Sequence, residues 1–190
     1  EGGTLDVAAG RDVVSGLFNA GGPMARLVAG NDIVPSPDIG LGRAHPATQV
    51  LYQNTDWDIR ATGSLTIGSP TNPGLMPGAT QGSETSVRVD LIDGLAPDAR
   101  AELVSLSGDL VLSSARPALR SGDTRFNSIG SRVLPDDLQA VALSGSVGMG
   151  SVAQRPNSDA RLELFAGGDI QVETLQLTGP DGASAPRPQS

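Results

Sequence analysis

The sequence predicts an all-β protein, a parallel β-solenoid with inserted loops. Three observations favour this fold class. Apolar and polar residues alternate over short stretches, as they do in strands with one buried face. Glycine and proline, 25 and 14 of the 190 residues, interrupt these stretches too often for long helices. A phrase made of a strand, a turn and a second strand also returns along the chain, which is typical of solenoids.

The repeated phrase is clearest at Leu5–Val14, which reads Leu-Asp-Val-Ala-Ala-Gly-Arg-Asp-Val-Val. Every second residue from Leu5 to Ala9 is expected on one face of the first strand. Gly10 supplies backbone freedom at the bend, and Asp12 can accept hydrogen bonds from neighbouring backbone amides there. The phrase therefore predicts one corner of a coil, with a structural role for its turn residues.

Five further turns follow the same pattern, a glycine near an aspartate or a serine. The predicted structural turn residues are Gly10, Asp12, Gly30, Asp32, Gly63, Ser64, Gly108, Asp109, Gly145, Ser146, Gly167 and Asp169. The apolar residues after the six turns stand at positions 13, 33, 65, 110, 147 and 170, so successive repeats are 20 to 45 residues apart. The shortest spacing fits one coil. The longer spacings fit a coil with an inserted loop, or two coils of which one is cryptic, with Ser86–Gly94 as the candidate strand.

The predicted organisation is a β-helix segment of about six or more coils over residues 1–178. Its insertions are rich in proline and glycine and are expected as loops at 35–55, 68–85 and 113–134. Residues 179–190 are expected to form a linker or a frayed end. No signal peptide opens the chain, and we expect it to be an internal piece of a longer protein.

Stacking of the coils explains why the alternation would be stable. One coil leaves backbone groups of its strands unpaired, and a second coil about 4.8 Å away both pairs them and buries the apolar face. Two apolar columns are predicted, one of Leu5, Leu27 and Leu162 and one of Val7 and Leu164. Four alanines are expected just before the turns: Ala9, Ala29, Ala61 and Ala166. A single helical turn is expected at Pro135–Ala140, where two acids follow a proline.

Composition excludes several classes of function. The net charge is −8, all 13 basic residues are arginine, and they do not cluster, which argues against binding to nucleic acid or to anionic membranes. The chain has no cysteine, so it has neither a disulfide nor a thiolate zinc site. No window has the apolar run that a membrane span requires. We therefore predict no cofactor, no nucleic-acid partner and no membrane insertion.

Asp56 and Asp58 flank Trp57 and are the best candidates for a catalytic pair. They are expected on one face of a strand, with Trp57 on the opposite face, in the core. Parallel β-helices include polysaccharide lyases and glycosidases, and glycosidases need two carboxyls across a sugar-binding cleft. Such clefts normally carry several exposed aromatics, whereas this chain has few, and Trp57 and Phe165 are both expected to pack. We therefore predict no catalytic residue and keep a carbohydrate-active enzyme as the alternative.

A metal array at the turns is the other chemical candidate. Its ligands would be the turn aspartates Asp12, Asp32, Asp109 and Asp169. Calcium-binding repeats need a Gly-Gly-x-Gly-x-Asp motif at a nine-residue period, which this chain lacks. Turn capping is the better interpretation, so no metal site is predicted. His45, the only histidine, lies in a proline-rich insertion without a nucleophile motif.

Four phrases of this chain resemble the repeats of filamentous haemagglutinin-like proteins: Leu5–Val14, Arg26–Val34, Leu134–Val147 and Leu162–Ile170. These proteins are large exoproteins of two-partner secretion systems in Gram-negative bacteria. The resemblance implies a right-handed parallel β-helix that is secreted or displayed at the cell surface. It also implies partners, namely flanking β-helix coils of the parent protein, a host or bacterial surface glycan or protein, and an outer-membrane transporter during secretion.

We therefore expect a structural shaft segment of a large adhesin, with the inserted loops as contact sites, rather than an enzyme. The third loop contains arginines from Arg116 to Arg132 and is a candidate for acidic glycans, although a solvated loop is the simpler interpretation. A third hypothesis is a self-assembling module. It predicts end-to-end association through open strand edges.

Overall fold

The computed structural model describes residues 3–35, 48–51, 55–68, 100–113, 132–154 and 160–177. Every regular element within these ranges is a β-strand, which confirms the all-β prediction for this part of the chain. In chain order the strands are β1 (Leu5–Ala9), β2 (Val13–Val14), β3 (Leu17–Asn19), β4 (Met24–Ala29), β5 (Ile33–Val34), β6 (Thr48–Leu51), β7 (Asp56–Ala61), β8 (Leu65–Gly68), β9 (Arg100–Ser105), β10 (Leu110–Ser113), β11 (Arg132–Leu134), β12 (Asp137–Ala142), β13 (Val147–Gln154), β14 (Arg161–Ala166) and β15 (Ile170–Leu177).

The strands form two sheets in which every pairing is parallel. Sheet 1 has six strands in the order β1-β4-β7-β9-β12-β14. Sheet 2 has nine strands on the path β11-β13-β10-β8-β5-β2, with β15 beside β13, β6 beside β8 and β3 beside β6. The chain alternates between the sheets. We call one strand of sheet 1, together with the strands of sheet 2 that follow it, a coil, and the described residues contain six coils.

One cluster of buried side chains joins the two sheets. The alternation is clear in β4, where Ala25, Leu27 and Ala29 are buried. At the alternate positions Met24 and Arg26 are exposed, and Val28 is half-buried. The largest fully buried side chains come from both sheets: Leu27, Ile33, Ile59, Leu65, Ile67, Leu103, Leu110, Leu112, Leu134, Leu138, Val50 and Val147. Burial of each such side chain stabilises the fold by about 1.5–3 kcal/mol relative to an exposed one. The core is therefore the main source of cohesion between coils.

The register of sheet 1 corrects one of the predicted columns. Leu27 pairs with Val7, whereas Leu5 pairs with Ala25, so Leu5 and Leu27 do not share a column. The reason is that distance from the turn sets the register, and Leu27 stands closer to its turn than Leu5 does. Val7 and Leu164 do share a column, through the intervening strands. The predicted alanine column is confirmed and runs through Ala9, Ala29, Ala61, Ser105, Ala142 and Ala166.

The helical turn predicted at Pro135–Ala140 is wrong. Residues Asp137–Ala142 form β12, which pairs with β9 on one side and with β14 on the other. Leu138 and Ala140 are buried while Gln139 between them is exposed, which is the period of a strand. Pairing at both edges of β12 therefore outweighs the local preference of a proline and two acids for a helix start.

Two predicted loops are shorter than expected. The strand Thr48–Leu51 lies inside the predicted loop 35–55, and the strand Arg132–Leu134 ends the predicted loop 113–134. Both pair with neighbours in sheet 2 and so belong to the coils. Several other expectations lie outside the described residues: the predicted loop 68–85 from residue 69 onwards, the cryptic strand at Ser86–Gly94, the histidine at His45, and the tail at 179–190.

Two buried polar side chains close the corner at which the chain returns from sheet 2 to sheet 1. The Thr55 hydroxyl donates to the carbonyl oxygen of Gly22 at 2.8 Å and lies 2.9 Å from that of Ala20. Gln154 Nε2 donates to the carbonyl oxygens of Asp136 at 2.9 Å and Arg161 at 3.2 Å. Because a buried backbone carbonyl needs a donor, these side chains stabilise the corner where the strand ladder is interrupted.

Candidate functional site

The predicted turn residues all lie at the other corner, where the chain passes from sheet 1 to sheet 2. Asp12 Oδ1 accepts a hydrogen bond from the backbone N–H of Asp32 at 3.2 Å, and Asp32 Oδ1 accepts one from the N–H of Ser64 at 2.7 Å. Asp109 Oδ1 accepts one from the N–H of Ser146 at 2.8 Å. Each of these carboxylates therefore bonds the turn of the following coil.

Serine serves as the acceptor in one of the positions where it replaces aspartate. Ser146 Oγ accepts a hydrogen bond from the backbone N–H of Asp169 at 3.1 Å. We call the residues at this position of the six turns the turn column: Asp12, Asp32, Ser64, Asp109, Ser146 and Asp169. The shared requirement is an acceptor oxygen that reaches the next coil. A negative charge is not required, since the neutral serine hydroxyl fills the same role.

The first carboxylate of the turn column has a shifted pKa. The side-chain amide of Asn31 donates to Asp12 Oδ1 at 2.8 Å, and this hydrogen bond is the main reason that the pKa of Asp12 lies below its ordinary value. The backbone N–H of Asp32 acts in the same direction, as does the Arg11 guanidinium at 3.0 Å. The charged form of the Asp12 carboxylate is therefore stabilised by groups in its own turn and in the turn of the next coil.

Close approach of neighbouring coils requires glycine in this corner. A Cβ atom on Gly30 would collide with the carbonyl oxygen of Gly10, and one on Gly145 would collide with that of Gly108. The backbones of successive turns stack directly on each other here, and a side chain would force them apart. The glycines of the predicted turn motif therefore act through space between coils as well as through their own conformation.

Coils 4 and 5 have one more residue in this turn than the other four coils. In both, the residue after the sheet 1 strand is leucine, and Leu106 and Leu143 are 45% and 50% exposed. Phe165 is 54% exposed, because it pairs with outward-facing Val141 in β12. The prediction that Phe165 packs in the core is therefore wrong, and these apolar side chains lie on the outside of the last three coils.

The outer face of sheet 1 carries two columns of charged side chains. In order of register the first column contains Asp56, Arg100, Asp137 and Arg161, and the second contains Asp6, Arg26, Asp58, Glu102, Gln139 and Glu163. We call these two columns, together with Arg60, the charged face. Acid and base alternate through the first column and the start of the second, so that neighbouring coils attract each other. Sequence reasoning missed this face, although counting back from each turn reveals the alternation.

Asp58 lies at the centre of the largest group of ion pairs on the charged face. Arg60 Nε donates to Asp58 Oδ1 at 2.6 Å, and the same guanidinium lies 3.3 Å from Glu102 in the next coil. Arg26, in the preceding coil, lies 3.9 Å from Asp58 and 3.8 Å from Asp6. The hydrogen bond to Asp58 raises the pKa of Arg60 above its ordinary value. The group therefore links four consecutive coils.

A second pair on the charged face links coils 4 and 5. Arg100 donates through two nitrogens to Asp137 Oδ2, at 2.7 and 2.9 Å. This contact raises the pKa of Arg100. Both side chains face solvent, where water and salt screen an ion pair and leave it little effect on stability. The charged face therefore sets the register of the coils more than it sets the stability of the fold.

The candidate catalytic pair lies on this face. As predicted, Asp56 and Asp58 project outward, and Trp57 between them is 2% exposed in the core. Asp58 is engaged by arginines, and Asp56 pairs in register with Arg100. A depression of about 490 Å³ lies instead on sheet 2, lined by Val111, Leu112, Gly148, Met149, Gly150, Gln171, Val172 and Glu173. The structure therefore does not bring Asp56 and Asp58 to this depression.

Three insertions leave sheet 2 from neighbouring strands. Residues 36–47 follow the end of β5, residues 69–99 follow β8, and residues 114–131 follow β10. In sheet 2, β5, β8 and β10 are consecutive and parallel, with Ile33 beside Leu65 and Leu65 beside Leu110. Their carboxyl ends therefore point the same way, and the three exits lie side by side, midway along the path of the coils through sheet 2, which β6 and β11 resume. We call this row of exits the insertion edge.

β13 shows the same part of a coil without an insertion. Its first half pairs with β10, through Val147 and Leu110, and its second half pairs with β11, through Val152 and Arg132. One continuous strand thus spans the positions that β10 and β11 occupy around residues 114–131. In the first coil the corresponding position is a bend at Ser15–Gly16, where both residues have positive φ, 58° and 141°.

Compared with protein-family models, curated proteins and solved structures, the chain gives no match. In the part of the chain that the structure describes, no group of three or more histidine, aspartate or glutamate side chains is arranged to hold a metal ion. Nor does any helix long and apolar enough to cross a membrane occur among the described residues.

Proposed function

We propose that the chain is a right-handed parallel β-helix and forms a structural shaft segment of a large exoprotein of the filamentous haemagglutinin-like kind. The observation that carries this proposal is the in-register parallel stacking of coils, with insertions that leave side by side at the insertion edge. Stacked coils bury their strand edges against each other and so form a rod that can be extended coil by coil. A rod of this kind places whatever its insertions carry at a distance from the surface that anchors it.

The inventory of polar groups supports a structural role. The turn column bonds one coil to the next, the charged face pairs acids with bases between coils, and Gln154 satisfies carbonyl oxygens at a corner. Each of these contacts stabilises the stack of coils. Function directed at a partner therefore belongs to the insertions, since surface loops on a rigid scaffold are the usual carriers of binding.

The proposed partner is a glycan or protein on a host or neighbouring cell, and the proposed location is the surface or surroundings of a Gram-negative bacterium. Flanking coils of a parent protein and an outer-membrane transporter complete the set of partners. The resemblance of the repeats supports these assignments, and the common exit of the insertions supports a one-sided contact surface. The proposal includes no catalysis.

The test replaces insertions and measures binding and fold separately. One variant has residues 114–131 replaced by a Gly-Ser link, so that β10 and β11 are joined as the two halves of β13 are; a second has 36–47 shortened in the same way. We expect both to keep a strand-dominated far-ultraviolet spectrum and the elongated scattering profile of the parent chain. At least one variant should lose binding on a glycan array or to intact cells.

The matched control replaces residues 114–131 by a Gly-Ser segment of the same length. It keeps the spacing of the exit but removes the arginines and apolar residues of the insertion. Loss of binding in this control together with the shortened variant assigns the contact to those side chains. A compact scattering envelope for the parent chain would contradict the shaft, and unchanged binding in all three variants would contradict the role of the insertions.

A further inference from the structure

A third column of outward residues lies on sheet 1, between the charged columns and the corner with the turns. In order of register it contains Ala8, Val28, Arg60, Val104, Val141 and Phe165. Its last three members are apolar, and Phe165 is exposed. Exposed Leu106 and Leu143 stand two positions after Val104 and Val141. Next to the turns, the outer face of coils 4–6 is therefore apolar.

The two exposed leucines are not needed to close their turns. Coils 1, 2, 3 and 6 make the same passage between the sheets with one residue fewer. The backbone N–H of Leu143 donates to the carbonyl oxygen of Ser105 at 2.9 Å, so Leu143 lies beside Leu106 in register. Neighbouring apolar side chains on a surface, which the stack itself does not use, indicate a contact with another molecule.

The first column of the charged face is complementary to its own reverse. Over coils 3 to 6 it reads acid, base, acid, base, namely Asp56, Arg100, Asp137 and Arg161. A two-fold axis that runs along the strands, between coils 4 and 5, reverses the order of the coils in a second copy. Coil 3 then faces coil 6, and coil 4 faces coil 5. Asp56 lies opposite Arg161 and Arg100 lies opposite Asp137, so every charge of the column meets the opposite sign.

The same axis also matches the third column and the leucines. It places Leu106 of one copy opposite Leu143 of the other, and it brings the valines of coils 4 and 5 together. In coils 3 and 6 it places the Arg60 guanidinium opposite the ring of Phe165, which is a favourable combination of a cation with an aromatic face. The charges and the apolar side chains therefore select one axis independently of each other.

We propose that two copies of this chain pair side by side and antiparallel, with the outer faces of sheet 1 in contact over coils 3–6. The contact is isologous, so it closes at a dimer. The strands of the two sheets run within about 30° of each other, as in other face-to-face packings. The contact lies on the flank of the rod, and further coils stacked in line would leave it open. The inference goes beyond the proposed function and does not depend on it.

One row of the contact opposes like charges. Asp58 lies opposite Glu163 of the second copy, and like charges directly opposite each other repel. Within each chain Arg60 pairs with Asp58 and Arg161 pairs with Glu163, which moderates this repulsion. Four coils and one six-residue strand span roughly 19 by 20 Å, which is small for a stable interface. We therefore expect a weak dimer, and Glu163→Gln should strengthen it.

The experiment measures the weight-average mass of the full 190-residue chain by sedimentation equilibrium. Concentrations should reach about 1 mM, since the contact is small. About 0.15 M salt screens the repulsion between the two net charges of −8 beyond about 8 Å and affects charges in contact less. The mass of the parent chain should rise towards that of a dimer and level there. Glu163→Gln should reach the same limit at a lower concentration.

Charge reversal tests the arrangement of the two copies. Arg100→Asp brings two acids together across the axis, and Asp137→Arg brings two bases together, so each variant alone should be monomeric. An equimolar mixture of the two variants restores opposite charges in both rows and should form a one-to-one dimer. The matched control is Arg11→Asp, which makes the same change of charge in the turn of coil 1. It should associate like the parent chain.

A second pair of variants tests the apolar part of the contact. Leu143→Lys places a charge beside the axis, opposite Leu106 of the second copy, and should abolish the association. Val14 is also exposed but lies on the outer side of sheet 2. Val14→Lys is therefore the control and should associate like the parent chain. Far-ultraviolet spectra and melting curves of every variant separate loss of association from loss of fold.

Three outcomes would overturn the proposal. The first is a parent chain that stays monomeric at all concentrations, or one whose mass grows past the dimer without limit, which would indicate end-to-end association. The second is a mixture of Arg100→Asp and Asp137→Arg that stays monomeric, because antiparallel pairing requires it to associate. The third is association of Leu143→Lys equal to that of the parent chain, which would place the contact elsewhere.

Discussion

The two sheets are made by the same coils but accept interruption differently. In sheet 1 every coil supplies one continuous strand, six residues long in five coils and five residues long in the first. In sheet 2 the strands range from two residues to eight, and insertions leave from three neighbouring strands. Sheet 1 also carries the charged face, whereas the outer side of sheet 2 carries the depression and the insertion edge.

The difference teaches where a stacked fold can vary. A strand paired on both edges tolerates no extra residue, because a shift of one position would reverse its buried and exposed faces. A coil can instead leave sheet 2 after a few paired residues and rejoin it after an insertion of almost any length. This is possible because the entropic cost of closing a loop rises only slowly with the number of residues in it. Register is therefore held by sheet 1, and sequence length is free to vary through sheet 2.

The largest effect is expected from the core of sheet 1. Ile59 is fully buried, and Ile59→Ala should lower the free energy of unfolding by about 2–5 kcal/mol, because it removes apolar contacts and leaves a cavity between coils. The measurement is urea denaturation followed by far-ultraviolet circular dichroism. Phe165→Ala, on the outer side of the same sheet, is the control and should change stability by less than about 0.5 kcal/mol. Equal effects of the two variants would contradict the assignment of faces.

The second prediction concerns the corner that sheet 2 shares with sheet 1. Gln154→Ala removes a side-chain donor from buried carbonyl oxygens, including that of Asp136, which keeps its hydrogen bond from the backbone N–H of Arg161 at 2.7 Å. We expect the free energy of unfolding to fall by about 0.5–1.5 kcal/mol, the typical net contribution of a hydrogen bond. The same denaturation measurement applies, with Gln139→Ala on the exposed face as the matched control. A loss in Gln154→Ala no greater than that of the control would show that water replaces the amide.

A smaller effect is expected on the charged face. Asp58→Asn removes the ion pairs with Arg60 and Arg26 and should cost about 0.2–1 kcal/mol at low ionic strength. Because exposed ion pairs are screened by salt, the difference from the parent chain should shrink at 1 M NaCl. Asp56→Asn should lower stability by less than Asp58→Asn does.

The double variant Asp56→Asn/Asp58→Asn also tests the enzymatic alternative. If the parent chain cleaved a polysaccharide and the double variant did not, a catalytic role would replace the structural role proposed.

The smallest effect is expected in the turn column and depends on pH. The pKa of Asp12 is lowered in the folded state, so its contribution to stability is present above the ordinary aspartate pKa of about 3.9 and is lost as the pH falls through the folded value. Asp12→Asn should therefore be less stable than the parent at pH 6, and the difference should vanish in strong acid. Thermal melting at pH 6, 4 and 2.5 measures this. A difference that grew on acidification would contradict the sign.

Much of the fold follows from local sequence, because alternation and turn chemistry act over a few residues. The burial of Trp57 and the column of alanines were predictable for that reason. The charged face was missed because it depends on which distant strands become neighbours, and it emerges from the sequence only when the repeats are aligned by counting back from each turn. The strands β6 and β11 were missed because short strands look like loops until a partner pairs with them. Pro135–Ala140 shows the reverse case, in which a local helix signal loses to pairing with β9 and β14.

The uninterrupted strand β13 has a practical consequence for protein engineering. Coil 4 carries residues 114–131 between two strands, while coil 5 crosses the equivalent position, near Gly150, as plain strand. The same position of a coil thus carries an insertion in coil 4 and none in coil 5, which marks it as a place where foreign sequence can be inserted. An epitope or affinity peptide grafted at Gly150 would be displayed next to the natural insertions, and copies of coil 5 could serve as blank spacers to set the distance between grafts.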